Sequence, residues 1–257
     1  MQRVALKNAL VEAVKETVQQ ESSIAVAFSG GIDSSLLAKI SSDLGIKVML
    51  ITVGFPGSPD TEFSKIVAGK LCLPHKVVEL EKEDFYHVHD YVWRKLSCEN
   101  LCHIENCIAF FYLANLAHQN GLRLLLSANG CDELFCGYDT FRRSYKGGND
   151  RMMMQLIRDR IRKENILMRE IGSVTVEFGI KCKHPFLSEK FISHSFNVSI
   201  NDKIRGHNDF IRKHILREVA VMIGVPEEAA YKPKKALQYG SLIHKNLRIT
   251  GIRNRKS

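Results

Sequence analysis

The seven residues Ser29-Gly30-Gly31-Ile32-Asp33-Ser34-Ser35 combine two glycines, three hydroxyls and one acid, between an apolar run, Ile24 to Phe28, and a helical pattern from Ser34 to Leu44. Glycines let backbone approach an anion closely, and the hydroxyls and first-turn N–H groups of a helix offer hydrogen bonds to its oxygens. A strand-to-helix turn of this composition predicts a phosphate cradle in which Ser29, Gly30, Gly31, Ser34 and Ser35 contact the phosphate. The Lys-Ser/Thr pair of a Walker A loop is missing, and Asp33 would repel phosphate unless a divalent cation lay between them. Magnesium-bound pyrophosphate satisfies both observations. A Gly-Gly turn with a helix cap at Ser29 or Asp33 is the plainer alternative.

Placing such a loop requires a sheet. Short apolar runs recur at Ile24 to Phe28, Lys47 to Val53, Lys76 to Leu80 and Arg123 to Leu126, separated by helical patterns at Ser34 to Leu44, Asp60 to Leu71, Asp84 to Leu96 and Ile104 to Gln119. The alternation predicts an α/β fold with an open parallel sheet. Ligands of such sheets bind beyond the carboxyl ends of the strands, where strand order switches. Ser29 to Ser35, Val53 to Asp60 and Ser127 to Tyr138 are therefore expected to meet. Beyond about Tyr145 the pattern turns helical, at Asp150 to Glu170, Glu189 to Ser195 and Asp209 to Ile223, with a turn at His184-Pro185-Phe186. Residues 1–145 read as the phosphate-binding α/β domain with an N-terminal helix, and 146–257 as a helical half packed on the sheet, ending in a basic tail, 232–257.

The Ser29 to Ser35 loop resembles the SGGxDSS pyrophosphate loop of the PP-loop ATP pyrophosphatases. Ser127-Ala128-Asn129-Gly130-Cys131-Asp132-Glu133-Leu134-Phe135-Cys136-Gly137-Tyr138 is similar to the SGEGxDELFGGY segment of class B asparagine synthetases and their β-lactam synthetase relatives. Val53 to Asp60 resembles their VGxxGSPD loop, Lys213 to Glu218 their KxxLRE helix, and Pro185-Phe186-Leu187 and Lys234-Lys235 continue the likeness. The resemblance implies an adenine nucleotide alpha-hydrolase-like fold and an AMP-forming amidoligase using ATP and Mg²⁺. By that likeness Asp33 and Asp132 hold the metal, and Phe28, Val53, Ser127, Ala128 and Gly130 surround the nucleotide. Lys213 neutralises charge as the α-phosphate is attacked, completing a catalytic set of Asp33, Asp132 and Lys213.

The departures concern the acceptor side. Asn129 stands where the family has a Glu thought to carry a proton in the amine step, and Asn cannot accept one. Glu105 and Glu133 are the neighbouring candidates for that base. The family's GxExRxPFLD reads Gly179 to Ser188 here without either acid, and Glu105 falls near a family Arg. Met1-Gln2-Arg3 leads straight into the ATP domain, so the glutaminase half, with its N-terminal nucleophilic Cys, is not expected. Nitrogen would come as ammonia or from a separate glutaminase chain.

At 257 residues, 45% hydrophobic and 25% charged, the chain has an ordinary globular composition, with no apolar run of membrane-spanning length; Met1 to Val18 reads as an amphipathic helix interrupted by Glu12 and Glu16. Seven cysteines without a secretion signal argue for reduced thiols and a cytoplasmic location. The formal charge of +9 concentrates in Arg142 to Lys163 and in Lys232 to Ser257, which carries eight Lys or Arg and no acid. Such stretches favour phosphate-bearing partners and keep tRNA open as a partner. Cys98, Cys102, Cys107, Cys131 and Cys136 near an ATP loop are similar to the thiols of RNA-thiolating PP-loop enzymes, the main rival reading, although buried inert thiols account for them as well. A nucleotide-binding regulator without turnover is a further alternative. His87 and His89 among aromatic residues could pair on a metal, but helix packing explains them more simply.

Overall fold

The computed structural model describes residues 1–96, 100–233 and 235–249; Cys98, Lys234 and the end of the basic tail lie outside the described residues. Helix α1 (Gln2–Val18) precedes β1 (Ser23–Ala27), α2 (Ile32–Asp43), β2 (Lys47–Gly54), α3 (Pro59–Leu71), β3 (His75–Glu79), α4 (Lys82–Leu96), α5 (Leu101–Gln119) and β4 (Leu124–Leu126). There follow α6 (Cys131–Leu134), α7 (Asp139–Ser144), α8 (Asp150–Thr175), β5 (Lys181–Lys183), α9 (Glu189–Phe196), α10 (Ile200–Lys203), α11 (His214–Ile223), α12 (Glu227–Tyr231), α13 (Leu237–Gly240) and α14 (Ile243–Ile249). Among the described residues the sheet is wholly parallel, in the order β3-β2-β1-β4-β5.

Parallel strands with helices on both sides bury both faces, and β1 shows how. Ile24 and Val26 enter one core with Leu6 and Leu10 of α1 and Leu36 of α2, whereas Ala25 between them joins a second core with Ile51, Ile108 and Phe110. In α1, Leu6, Leu10, Ala13, Val14 and Val18 form one buried stripe at helical spacing, while Glu12 and Glu16 sit off it. The two acids therefore do not interrupt the helix. The chain leaves β1 toward β2 and returns across it to β4, so strand order switches between β1 and β4. The loops after these two strands, beginning at Ser29 and Ser127, flank that crevice.

Two elements differ from expectation. Strand β5 pairs Lys181, Cys182 and Lys183 with Leu124, Leu125 and Leu126, a sheet edge supplied by the segment read as helical. Its Lys-Cys-Lys sequence has a single apolar residue, because an edge strand with flanking lysines resists further pairing. The helix read as Asp209 to Ile223 begins only at His214, since Arg212 and Lys213 adopt left-handed backbone with φ of 52° and 56°. No helix among the described residues is long and apolar enough to cross a membrane.

Leu126 is fully buried in β4, in register with Val26. Replacing it by Ala is expected to cost about 3 kcal/mol of unfolding free energy, from lost burial and a residual cavity. A denaturant titration showing a loss below about 0.5 kcal/mol would contradict this placement of the core.

Candidate active site

The loop after β1 makes its own scaffold. Ser34 Oγ accepts from the Ser29 N–H and donates to the Gly31 carbonyl, both at 3.3 Å, and Ser29 Oγ accepts from the Gly31 N–H at 3.4 Å. Gly31 is the N-cap of α2 and no side chain caps that end, which leaves the first turn suited to an anion. Gly30 has φ of 71°, and a Cβ there would lie 2.9 Å from Phe63 and 3.1 Å from the Ser64 backbone. Glycine at position 30 is thus demanded by packing against α3. Ser35 is fully buried beneath the loop.

Beyond the strand ends lies a cavity of about 380 Å³, large enough for a nucleotide. Phe28, Ser29, Asp33, Ser34, Val53, Ser127, Ala128 and Asp132 line it, while Gly31 and Lys213 line an adjoining cleft with Arg217 and Lys232. Gly30, Ser35 and Gly130 line neither; Gly130, with φ of 91°, packs against Leu187.

Lys213 joins the two phosphate-side loops. Its ammonium donates to Asp33 Oδ1 and Oδ2 and pairs with Asp132 Oδ1, each at 2.7 Å, and its side chain is 1% exposed. Burial works against the charge, but the Asp132 and Asp33 carboxylates outweigh it and raise the Lys213 pKa, so the amine stays protonated. A buried ion pair adds little net stability, so its presence points to use of the charge. Gly137 makes room: a Cβ there would stand 1.8 Å from Asp132 Oδ1 and 2.5 Å from Lys213 Cε. The left-handed backbone at Arg212 and Lys213 costs on the order of 1–3 kcal/mol per residue, strain typical of functional segments.

Two carboxylates converging on one small cation also test the fit to magnesium. Their oxygens are hard donors, and among the described residues no set of three His, Cys, Asp or Glu side chains could hold a metal alone. Two protein oxygens with the remaining positions left to phosphate and water suit Mg²⁺.

The acceptor side holds residues that sequence reasoning missed. Asn129 Nδ2 donates to Glu164 Oε1 at 2.7 Å, bringing a carboxylate of α8 to the loop whose own acid is absent. Ser127 Oγ donates to Asn129 Oδ1 at 2.5 Å, so its 2.8 Å contact with His184 Nδ1 is one in which the imidazole donates. Burial and nearby Lys183 push His184 down to about 4, keeping it neutral. Glu133 and Glu164 line the cavity, whereas Glu105, hydrogen-bonded to His244, does not. Of the five cysteines, Cys102 reaches the cavity; Cys107, Cys131 and Cys136 are buried, and Cys98 is outside the described residues. Burial raises the pKa of Cys102, Cys131 and Cys136, the last to about 12, which disfavours the nucleophilic thiolate. His89 is buried beside Asp90 and His87 is exposed.

The asparagine synthase family model matches residues 5–177 and 152–254 of the chain. The chain belongs to the asparagine synthase family. A Methanocaldococcus jannaschii protein provisionally named glutamine-hydrolysing asparagine synthetase 1 is 28% identical over 266 residues, covering 92% of this chain and 49% of the relative. Glutamine-hydrolysing asparagine synthetase B of Escherichia coli is 25% identical over 254 residues, 91% of this chain and 44% of the relative. The chain thus spans about half the length of the curated relatives it matches. In fold it is similar to a Francisella tularensis NMN synthetase, at a TM-score of 0.50 and 12% identity, over 99% of this chain and 88% of that one.

Glu133 yields a pH test. Burial, then repulsion from Glu164 and Asp132, pushes it up to about 8, so the folded chain binds a proton that the unfolded chain has lost. The stabilising contribution is full below about pH 4.5 and is lost as pH rises through 8. Glu133→Gln should flatten the fall in stability between these values, as measured by urea unfolding; an unchanged pH slope would contradict the assignment.

Proposed function

We propose that the chain is the synthetase component of an AMP-forming amidoligase. It binds ATP at the carboxyl ends of β1 and β4, adenylates an acceptor carboxylate with release of pyrophosphate, and transfers ammonia to the activated carbonyl. One observation carries this reading: in a chain of the asparagine synthase family, the acids after β1 and β4, Asp33 and Asp132, close on the buried ammonium of Lys213.

The nucleotide's triphosphate lies along the Ser29 to Ser35 turn, with Phe28, Val53, Ser127 and Ala128 against the adenosine. Asp33 and Asp132 would hold Mg²⁺, which would neutralise the β- and γ-phosphates and steady the leaving pyrophosphate. Lys213 supplies a fixed positive charge in a water-poor site, where it stabilises negative charge building on the α-phosphate. An acceptor carboxylate oxygen bonds to the α-phosphorus as the bond to the bridging oxygen breaks, giving an acyl adenylate and pyrophosphate. Ammonia then attacks the carbonyl and AMP departs.

The amide step must shed a proton, and Asn129 cannot take it. Glu164 can. Held by Asn129 and facing the cavity, its carboxylate is the base of the amide step, moved from the loop to α8. Burial of Cys131 and Cys136, and the raised pKa of the Cys102 thiol at the cavity, give the RNA-thiolating alternative no better support, and no RNA partner is invoked.

Labelled ATP with an acceptor series and ammonium is expected to give AMP and pyrophosphate in equal amounts; ADP and phosphate would overturn the reading. Asp33→Ala should abolish turnover and also lower stability, since the buried Lys213 ammonium keeps a single carboxylate partner. Glu164→Gln should lower amide formation about 100-fold or more while preserving acceptor-dependent pyrophosphate exchange into ATP. Equal loss of both reactions would refute the role given to Glu164.

A further inference from the structure

The turn that delivers Lys213 is built from residues poorly suited to its shape. Arg212 and Lys213, neither a glycine, both adopt left-handed backbone immediately before α11. Such a pair persists only if the surroundings over-determine it. Two side chains do so from opposite sides. Asp209 Oδ1 accepts from the backbone N–H groups of Ile211 at 3.1 Å and Arg212 at 3.0 Å, while its Oδ2 accepts from the Arg205 N–H at 2.9 Å and meets His214 Nε2 at 2.6 Å. Arg217, one turn into α11 and 2% exposed, donates from Nε to the Arg212 carbonyl at 2.8 Å and from Nη2 to the Ile211 carbonyl at 2.7 Å.

The acid thus takes the N–H groups of residues 211 and 212, and the guanidinium takes their carbonyls. Little backbone polarity in the turn is left to water or to an alternative conformation. Arg217 Nη1 also bonds the Ala230 carbonyl and reaches the Lys232 carbonyl at 3.5 Å, so the same side chain fixes the segment from which Lys232 Nζ contacts Asp60 and the Ser29 carbonyl. Arg217 is therefore a buried cation hydrogen-bonded to backbone carbonyls, and it lines the cleft beside Ser29, Asp33 and Lys213. Its planar fork reaches carbonyls in several directions at once, which a lysine cannot reproduce.

We infer that Asp209 and Arg217 are positioning residues for Lys213: together they clamp the 209–213 turn so that the ammonium stands between Asp33 and Asp132 at the bond to be cleaved. The catalytic part of this inference rests on the amidoligase reading above. The clamp itself is a property of the turn and is tested separately.

The experiment is a double-mutant cycle read by pre-steady-state AMP formation with excess full-length chain, alongside amide hydrogen exchange of residues 210–214. Asp209→Asn and Arg217→Lys should each lower the AMP-forming rate 10-fold or more with KM for ATP changed less than threefold, and each should speed exchange in the turn but not in β1 or β4. In a Lys213→Ala background each should cost less than a further twofold, because a positioning residue has nothing left to position. His214→Gln, which removes one of Asp209's bonds, should give a smaller loss of the same kind and serves if the stronger variants unfold. Full multiplicative losses in the Lys213→Ala background, or unchanged exchange at 210–214 in folded variants, would overturn the clamp. If the unmodified chain forms no AMP with any acceptor, the amidoligase reading fails while the exchange arm still decides the clamp.

Discussion

Everything at the carboxyl edge of the sheet is organised by one charge arrangement, the Lys213 ammonium shared between the carboxylates of Asp33 and Asp132. The three residues are far apart in sequence and come from the first turn of α2, from α6 and from the turn before α11. Bringing two acids together without a cation would be costly in a site this dry, and burying a lysine without acids would neutralise it. Each residue therefore requires the others. The neighbouring sequence follows from that mutual need: Gly137 has no side chain because Asp132 and Lys213 occupy the place where one would stand.

The fold supplies the convergence. Parallel strands end their loops on one side, and the reversal of strand order between β1 and β4 opens a crevice into which both loops point. The chain after β4 returns α11 against α2, and Lys213 at its start reaches Asp33 in the first turn of α2. The acceptor side is lined from α5 and α8, and there Glu164 of α8 meets Asn129 of the loop after β4.

Much of this was legible in the sequence. The strands β1 to β4 announced themselves as short apolar runs, and the Gly-Ser-Asp composition of the first loop marked the strand-to-helix turn that lines the cavity. Strand β5 was hidden because an edge strand of Lys-Cys-Lys carries no apolar alternation. The 209–213 turn was hidden because its left-handed residues are Arg and Lys, so no glycine signalled the break in a helical pattern. Glu164 follows the basic stretch Arg142 to Lys163 and belongs to no motif, and only the packing of α8 beside the Ser127 loop brings it to Asn129.

The central claim is that Lys213, Asp33 and Asp132 jointly define where the α–β bond of ATP is held. The most direct measurement is a crystal structure with Mg²⁺ and α,β-methylene ATP. The account predicts the triphosphate on the Ser29 to Ser35 turn, Mg²⁺ held by Asp33 and Asp132, and the Lys213 ammonium against the α-phosphate. A triphosphate bound away from that turn, or a Lys213 ammonium that faces only the γ-phosphate, would contradict it.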